Sequence, residues 1–375
     1  MPEPKRAVSL TLSTELSTLF DLLPSNVERQ SLVTSLIKAY ELHTKVAHLI
    51  PIKPCNRRDL EKFHDPEFVA CLLKRRANGP PVSDSDESGL DENPDELSKF
   101  GLLYDCPVFP QMLEYVRYLA GLTVSTARHL CQTAGPVTQS VAINWYGGRH
   151  HGKKSIAAGF CYANDIVLGI MELRTKFRRV AYIDLDLHHG DGVEAAFQFS
   201  DKVLTISVHR LDIGFYPGTG GADVEGKGKG MGYAMNIPTK HGLTDASLSK
   251  IIQRQITPKL RDFQPECLVI QCGCDGLSTD EHQEWNLTIQ GMGAAVQHLL
   301  DLNLPTMLLG GGGYNHVSVA RCWTYLTCVA LGEEQAEISR TWDIIPEHEY
   351  LDKYEDDGYV FWIDEKRNMR EENIL

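Results

Sequence analysis

No run of about 18 apolar residues occurs in the chain, so no membrane-spanning helix is expected. The opening stretch, MPEPKRAVSLTLS, lacks the apolar core of a secretory signal. The ten cysteines form no even framework, and Cys272-x-Cys274 is not a zinc-knuckle spacing. They read as reduced thiols of an intracellular protein. Basic residues are in deficit, 37 against 50 acidic ones for a net charge of −13. That deficit argues against direct nucleic-acid binding and leans toward basic partners or substrates. No internal repeat is visible. At 375 residues the chain is long enough for one large α/β domain with a substantial core, expected to run from 1 to 375.

Strand-like apolar runs lie at Val8 to Thr11 and at 140–145, 179–187, 203–208, 267–272 and 305–309. Helical stretches fall between the later ones, at about 161–176, 192–199, 244–262 and 289–303, and after Tyr314. This alternation predicts one mostly parallel sheet with helices on both faces. Upstream, Ser25-x-x-Glu28 is a capping-box pattern ahead of a helix striped by Leu32, Val33, Leu36, Ile37 and Tyr40. Arg29 at its start reads as solvated. Residues 56–78 read as polar helical surface, 79–98 as an acidic loop, and a helix is expected from about Pro110 to Cys131. Residues 210–232 are glycine-rich loop, and a polar tail begins near Gln335, with Trp362 as an anchor.

The chain is organised around IDLDLHHGDG, residues 183–192. Alternate side chains of a strand share a face, so Asp184, Asp186 and His188 are expected to point one way and Leu185 and Leu187 into packing. Such a group desolvates badly unless it binds a cation. Four strand runs end in reactive groups: at His150 and His151, at this cluster, at Asp275 and at Tyr314. In open parallel sheets ligands sit outside those carboxyl ends. Asp186, His188 and Asp275 make a three-ligand set with room for water and substrate, suited to catalytic zinc. Its hard oxygen donors fit ferrous iron as well. His150 and His151 read as proton-transfer groups, with Asp184 and Asp191 as the carboxylates that orient them. Tyr314, after four glycines, is placed to donate to a substrate oxyanion. GGGGYN lacks the Lys-Ser/Thr ending of a phosphate loop.

The chain resembles the class I histone deacetylases over nearly its whole length. The matching stretches are RQSLVTSLIKAY, GLLYDCP, GFCYANDIVLGI, YIDLDLHHGDGVEAAF, FYPGTG, GGGGYN and ARCWTYLT. The tail IIPEHEYLDKYEDDGYVF is most similar to the isoform-8 type. The resemblance implies an arginase-like fold and hydrolysis of N6-acetyl-lysine in histones or other proteins, with nuclear and cytoplasmic residence and regulatory protein partners. It implies zinc on Asp186, His188 and Asp275, with His151 as general base and acid. Asp105 would grip the substrate backbone, Gly159, Phe160 and Tyr216 would wall the acyl-lysine tunnel, and Arg29 would lie beneath the pocket. Two potassium sites are implied as well. One would use Asp184, Asp186, His188, Ser207 and Val208, the other Phe197, Ser200, Val203 and Tyr233.

Several positions depart from the family pattern: Tyr216 for Phe, Arg149 for Trp or Leu, Gly152 for Ala, Trp285 for Phe, and His282 for an apolar rim residue. Cys106 and Cys161 match cysteines near the site and read as structural thiols. Two other functions stay open at this point. An acetylpolyamine deacetylase is motivated by Glu281 and His282 at the rim. A non-catalytic acetyl-lysine-binding scaffold is disfavoured by the intact ligands, histidine pair and Tyr314.

Overall fold

The computed structural model describes residues 6–74, 94–333, 335–363 and 369–373. Eight strands form one sheet: β1 (Arg6–Leu10), β2 (His48–Leu49), β3 (Gln139–Asn144), β4 (Val180–Asp184), β5 (Val203–Arg210), β6 (Ala234–Thr239), β7 (Cys267–Gln271) and β8 (Thr306–Leu309). Their order is β2-β1-β3-β8-β7-β4-β5-β6, and every pairing is parallel. The central strands are apolar on both faces, as a doubly covered sheet requires. Ala181 and Ile183 of β4 and Leu268 and Ile270 of β7 pack on one side. The helices there are Arg29–Ala39, Asp245–Ile251, Ile289–Leu300 and His316–Leu331. Val180, Tyr182, Cys267 and Val269 face the other side, against helices Met112–Thr133, Asp165–Leu173 and Asp191–Phe197. Among the described residues no helix is long and apolar enough to cross a membrane.

Several expectations change in detail. β6 was hidden by Asn236 and Pro238; it is an edge strand, where a missing N–H is tolerated. The Ser25–Glu28 capping box does not form. Glu28 is left-handed at φ 60° with no side-chain cap. The carboxylate of Asp21 caps the helix instead, accepting from Gln30 N at 2.8 Å and Ser31 N at 3.3 Å and from Ser31 Oγ at 2.5 Å. The long helix begins at Met112, two residues after Pro110. The 245–263 helix contains a π turn at Ile252–Ile256, just before Pro258, whose ring removes one ladder donor.

Residues 56–78 are not simply polar surface. Phe68, Val69, Cys71 and Leu72 of the helix Pro66–Leu72 are buried in a third cluster on the outer side of Met112–Thr133. The acidic loop lies outside the described residues from 79 to 93, and its end forms the helix Pro94–Lys99 with Leu97 buried. The tail is anchored by apolar groups rather than merely polar. Ile345, Tyr354 and Phe361 join the main core, Trp342 stacks on Tyr40 at 3.9 Å, and Trp362 packs edge-on against Tyr325 at 5.1 Å.

Asp21→Ala removes the carboxylate that caps the Arg29 helix and is expected to cost about 1–2 kcal/mol of stability. Chemical denaturation measures this; an unchanged midpoint would contradict the capping role.

Candidate active site

Neighbouring strands β3, β8, β7 and β4 all run the same way, so their carboxyl ends share one edge. His150 and His151 follow β3, Tyr314 follows β8, Asp275 follows β7, and the 184–191 cluster follows β4. The ladder of β4 stops at Asp184, so Asp186 and His188 lie in the loop beyond it rather than on the strand. The alternation still holds. Leu185 and Leu187 are buried in the main core, and Leu185 N still donates to the Gln271 carbonyl at 3.1 Å.

Asp186, His188 and Asp275 offer ligand atoms that all lie within 4.8 Å of one another, and all three are buried. His188 Nδ1 is 2.9 Å from Asp275 Oδ2 and 3.4 Å from Asp186 Oδ1. Burial and the Asp186 charge push the Asp275 carboxyl up to about 6. Burial opposes charge on His188, but its contacts with Asp186 and Asp275 outweigh it and hold the ring up at about 10. Two buried carboxylates this close need a cation between them, so the donor set fits a divalent metal. The surroundings fix the ligands. Gln271 Nε2 and Gly312 N donate to Asp186 Oδ2 at 2.7 and 2.8 Å, and Leu187 N donates to Asp275 Oδ1 at 2.9 Å. A Cβ on Gly312 would collide with the Asp275 carboxylate, so glycine is required there. His150, Asp184 and Asp186 form a second buried group with metal-ligand spacing, sharing Asp186 with the first.

Each of the adjacent histidines has its own carboxylate. His150 Nδ1 donates to Asp184 Oδ2 at 2.8 Å, and His151 Nδ1 to Asp191 Oδ1 at 2.8 Å. The rings are 4.0 Å apart. Their environments differ. Burial disfavours charge on His150, but Asp184 and Asp186 outweigh it and hold the ring up at about 9. Burial and the neighbouring His150 push His151 down to about 3. Asp191 is desolvated too, yet His151 and Lys153 bring it down to about 2.

Above these groups a cavity of about 200 Å³ is lined by Asp105, His151, Gly159, Phe160, His188, Tyr216, His282 and Tyr314. Asp105 Oδ2 accepts from Gly159 N at 2.6 Å, which ties the mouth to the left-handed Gly159–Phe160 turn. The Tyr314 ring lies 5.8 Å from Phe160, and its hydroxyl is held far above the usual range by burial and by Asp275 and Asp186.

Arg29 is buried, not solvated. Its Nη1 donates to the Gly311 and Gly313 carbonyls at 3.1 and 2.9 Å, fixing the turn before Tyr314. Burial raises the thiols of Cys106 and Cys161, the second to about 12, which suits structural thiols. Ser207 and Val208 lie on β5, with Ser207 paired to Asp184 across the ladder. Phe197, Ser200, Val203 and Tyr233 gather at the opposite end of β5. There the Phe197 carbonyl accepts from Ser200 N at 2.8 Å and the Tyr233 carbonyl from Thr205 N at 3.0 Å.

Sequence reasoning missed two contributors. Gln271, a lone amide closing an apolar strand, was the available signal for the Asp186 contact. Asp280 had no such signal. Its carboxylate accepts from Tyr314 N at 2.7 Å and from His282 Nδ1 at 3.0 Å, joining the tyrosine loop to the cavity wall.

A histone deacetylase domain model matches residues 23–330. Histone deacetylase 8 of Xenopus tropicalis is 40% identical over 343 residues, 91% of this chain and 87% of that protein. Histone deacetylase 8 of Danio rerio is 38% identical over 351 residues, 93% and 86% of the two chains. Histone deacetylase 6 of Arabidopsis thaliana is 40% identical over 341 residues, 91% and 68%.

In metal-free protein, ring-nitrogen NMR is expected to find His150 titrating near 9 and His151 neutral down to about 3. An unfolded histidine titrates near 6.5. The contribution of His151 to stability is therefore lost as pH falls from about 6.5 toward 3, and that of His150 as pH rises from about 6.5 through 9. Two rings titrating together near 6.5 would contradict the separate environments.

Proposed function

The chain belongs to the histone deacetylase family, and on that premise we propose how its residues divide the work of hydrolysing N6-acetyl-lysine. The reaction is metal-dependent lysine deacetylation. Asp186, His188 and Asp275 hold the metal, zinc in this reading with ferrous iron as the alternative. When bound, such a cation supplies Lewis-acid polarisation of the acetyl carbonyl and lowers the pKa of water to about 7.

The remaining work falls to the chain itself. Asp105 binds the substrate backbone at the mouth, and Gly159, Phe160 and Tyr216 line the path of the lysine stem. His151, neutral at pH 7, accepts the proton of the attacking water while Asp191 holds its tautomer. His150, whose Nδ1 donates to Asp184, stands beside His151 as the second proton-transfer group. The Tyr314 hydroxyl donates to the oxyanion as it forms. A protonated histidine returns a proton to the lysine amine, and acetate leaves. What supports this division is the pair of separate histidine–carboxylate contacts beside the Asp186, His188 and Asp275 group at one sheet edge.

Two potassium ions complete the reading: one at Asp184, Asp186, His188, Ser207 and Val208, the other at Phe197, Ser200, Val203 and Tyr233. The carbonyls of Phe197 and Tyr233 each accept one hydrogen bond, which leaves a lone pair for a cation. Substrates are acetylated lysines of histone tails or other proteins, met in nucleus and cytoplasm, with regulatory protein partners. A second reading, acetylpolyamine hydrolysis, is favoured by His282 in the cavity wall beside the exposed Glu281.

The test is acetate release by metal-loaded protein from an acetyl-lysine peptide, with acetylspermidine alongside. Peptide turnover abolished by Asp275→Ala and lowered on the order of 10²–10³-fold by Tyr314→Phe is expected. Full activity in Tyr314→Phe would remove the oxyanion role. Preference for acetylspermidine would select the second reading.

A further inference from the structure

Two arginines lie behind the catalytic groups with no carboxylate to answer them. Arg29 is 1% exposed and Arg149 is 5% exposed. With its amide oxygen turned toward them, Asn26 accepts from Arg29 Nη2 at 2.8 Å and from Arg149 Nη2 at 2.7 Å. Among the described residues, the Nε atoms of both arginines and the Tyr115 hydroxyl are buried without a hydrogen-bond partner. Neither guanidinium forms an ion pair among the described residues. Asp165 is close enough for Arg149 to feel its charge. Its oxygens, however, are engaged by Gly148 N at 3.0 Å, Arg149 N at 2.8 Å and Thr123 Oγ1 at 2.5 Å. Two buried cations sharing one neutral acceptor are strongly unfavourable without a counter-charge.

The pair borders the reaction site. Arg29 holds the carbonyls on either side of Gly312, while Gly312 N donates to Asp186 at 2.8 Å. Arg149 directly precedes His150 and His151, and its charge acts on the Tyr314 hydroxyl and on the Cys161 thiol. Cys161 in turn follows the cavity-wall residue Phe160. A substrate lysine reaching Tyr314 past Asp105 and Tyr216 brings its acyl group in first. To meet these guanidiniums, the far end of that group must pass the His151 and Tyr314 side of the cavity wall.

We propose that Arg29 and Arg149 form a carboxylate subsite, and that the enzyme removes from lysine acyl groups ending in a carboxylate, of the succinyl or glutaryl kind. This rests on the lysine-deacylase reading above. Planar guanidinium forks match a carboxylate in a way a bare ammonium does not. The chemistry is the same hydrolysis. The water oxygen bonds the acyl carbon, the C–N bond breaks, the amine leaves with a proton, and the acid leaves as a dicarboxylate. Nothing beyond water is consumed.

The test uses metal-loaded, full-length protein and one peptide sequence carrying acetyl-, butyryl- or succinyl-lysine. Butyryl has the carbon count of succinyl without its charge. The expected kcat/KM for succinyl-lysine exceeds that for butyryl-lysine by about tenfold or more, and the ratio falls on the order of 10²-fold in Arg149→Met. Arg149→Lys, which keeps the charge but not the fork, is expected to fall between them. Succinyl-lysine turned over no better than butyryl-lysine by the native protein overturns the proposal without needing any variant, as does a ratio unmoved in Arg149→Met. Inhibition by free succinate or acetate without succinyl-lysine turnover would assign the site to the released acid and overturn the substrate claim. Turnover of no peptide at all contradicts the deacetylase reading along with this one. Acetyl-lysine turnover with equal succinyl and butyryl rates contradicts this one alone.

Discussion

Two carboxylates, Asp186 and Asp275, are held in contact with one imidazole at a sheet edge where almost no water reaches them. Left alone, two such charges repel and desolvate at great cost; with a cation between them they become a rigid site. The surrounding structure serves this requirement. Four backbone or amide N–H groups aim at their oxygens. The four strands that deliver the site lie side by side in the sheet. The glycine turn can press against the carboxylates because it carries no side chain where one would collide.

The same economy of placement separates two chemically identical side chains. His150 sits between Asp184 and Asp186 and stays charged; His151, beside a charged ring and mostly desolvated, stays neutral. Neighbouring positions in the chain thereby differ in protonation, and each ring has a carboxylate to fix its tautomer. The tyrosine loop is held from both sides, by Arg29 on its carbonyls and by Asp280 on its amides. A flexible glycine run thus becomes a defined mount for one hydroxyl.

Much of this was legible in the sequence. Strand runs that end in His, Asp or Tyr can be read directly, because buried parallel strands are continuous apolar stretches. Two kinds of feature escaped. Local patterns with non-local competitors misled: Ser25-x-x-Glu28 looks like a cap, but the helix starts later, at Arg29, and Asp21 reaches its Gln30 and Ser31 amides from a preceding turn. Contacts made only by the folded chain left no periodic trace. Asp280 touches Tyr314 across 34 positions, and Arg29 meets the glycine turn across 282. A lone arginine at a helix start carries no sign of burial, and only the resemblance pointed beneath the pocket. β6 shows the converse: its asparagine and proline speak against a strand, and only its place at the sheet edge makes them tolerable.

The central claim is that Asp186, His188 and Asp275 form one cation site. Calorimetric titration of metal-free protein with zinc at pH 8, in two buffers of different ionisation enthalpy, tests it most directly. His188 Nδ1 is protonated at that pH in the empty site, its ring held up at about 10, and must lose its proton to coordinate. The account predicts a tightly bound zinc ion whose uptake releases at least one proton, from His188, and is lost in Asp275→Ala. No tight binding, or binding unaffected by Asp275→Ala, would contradict it.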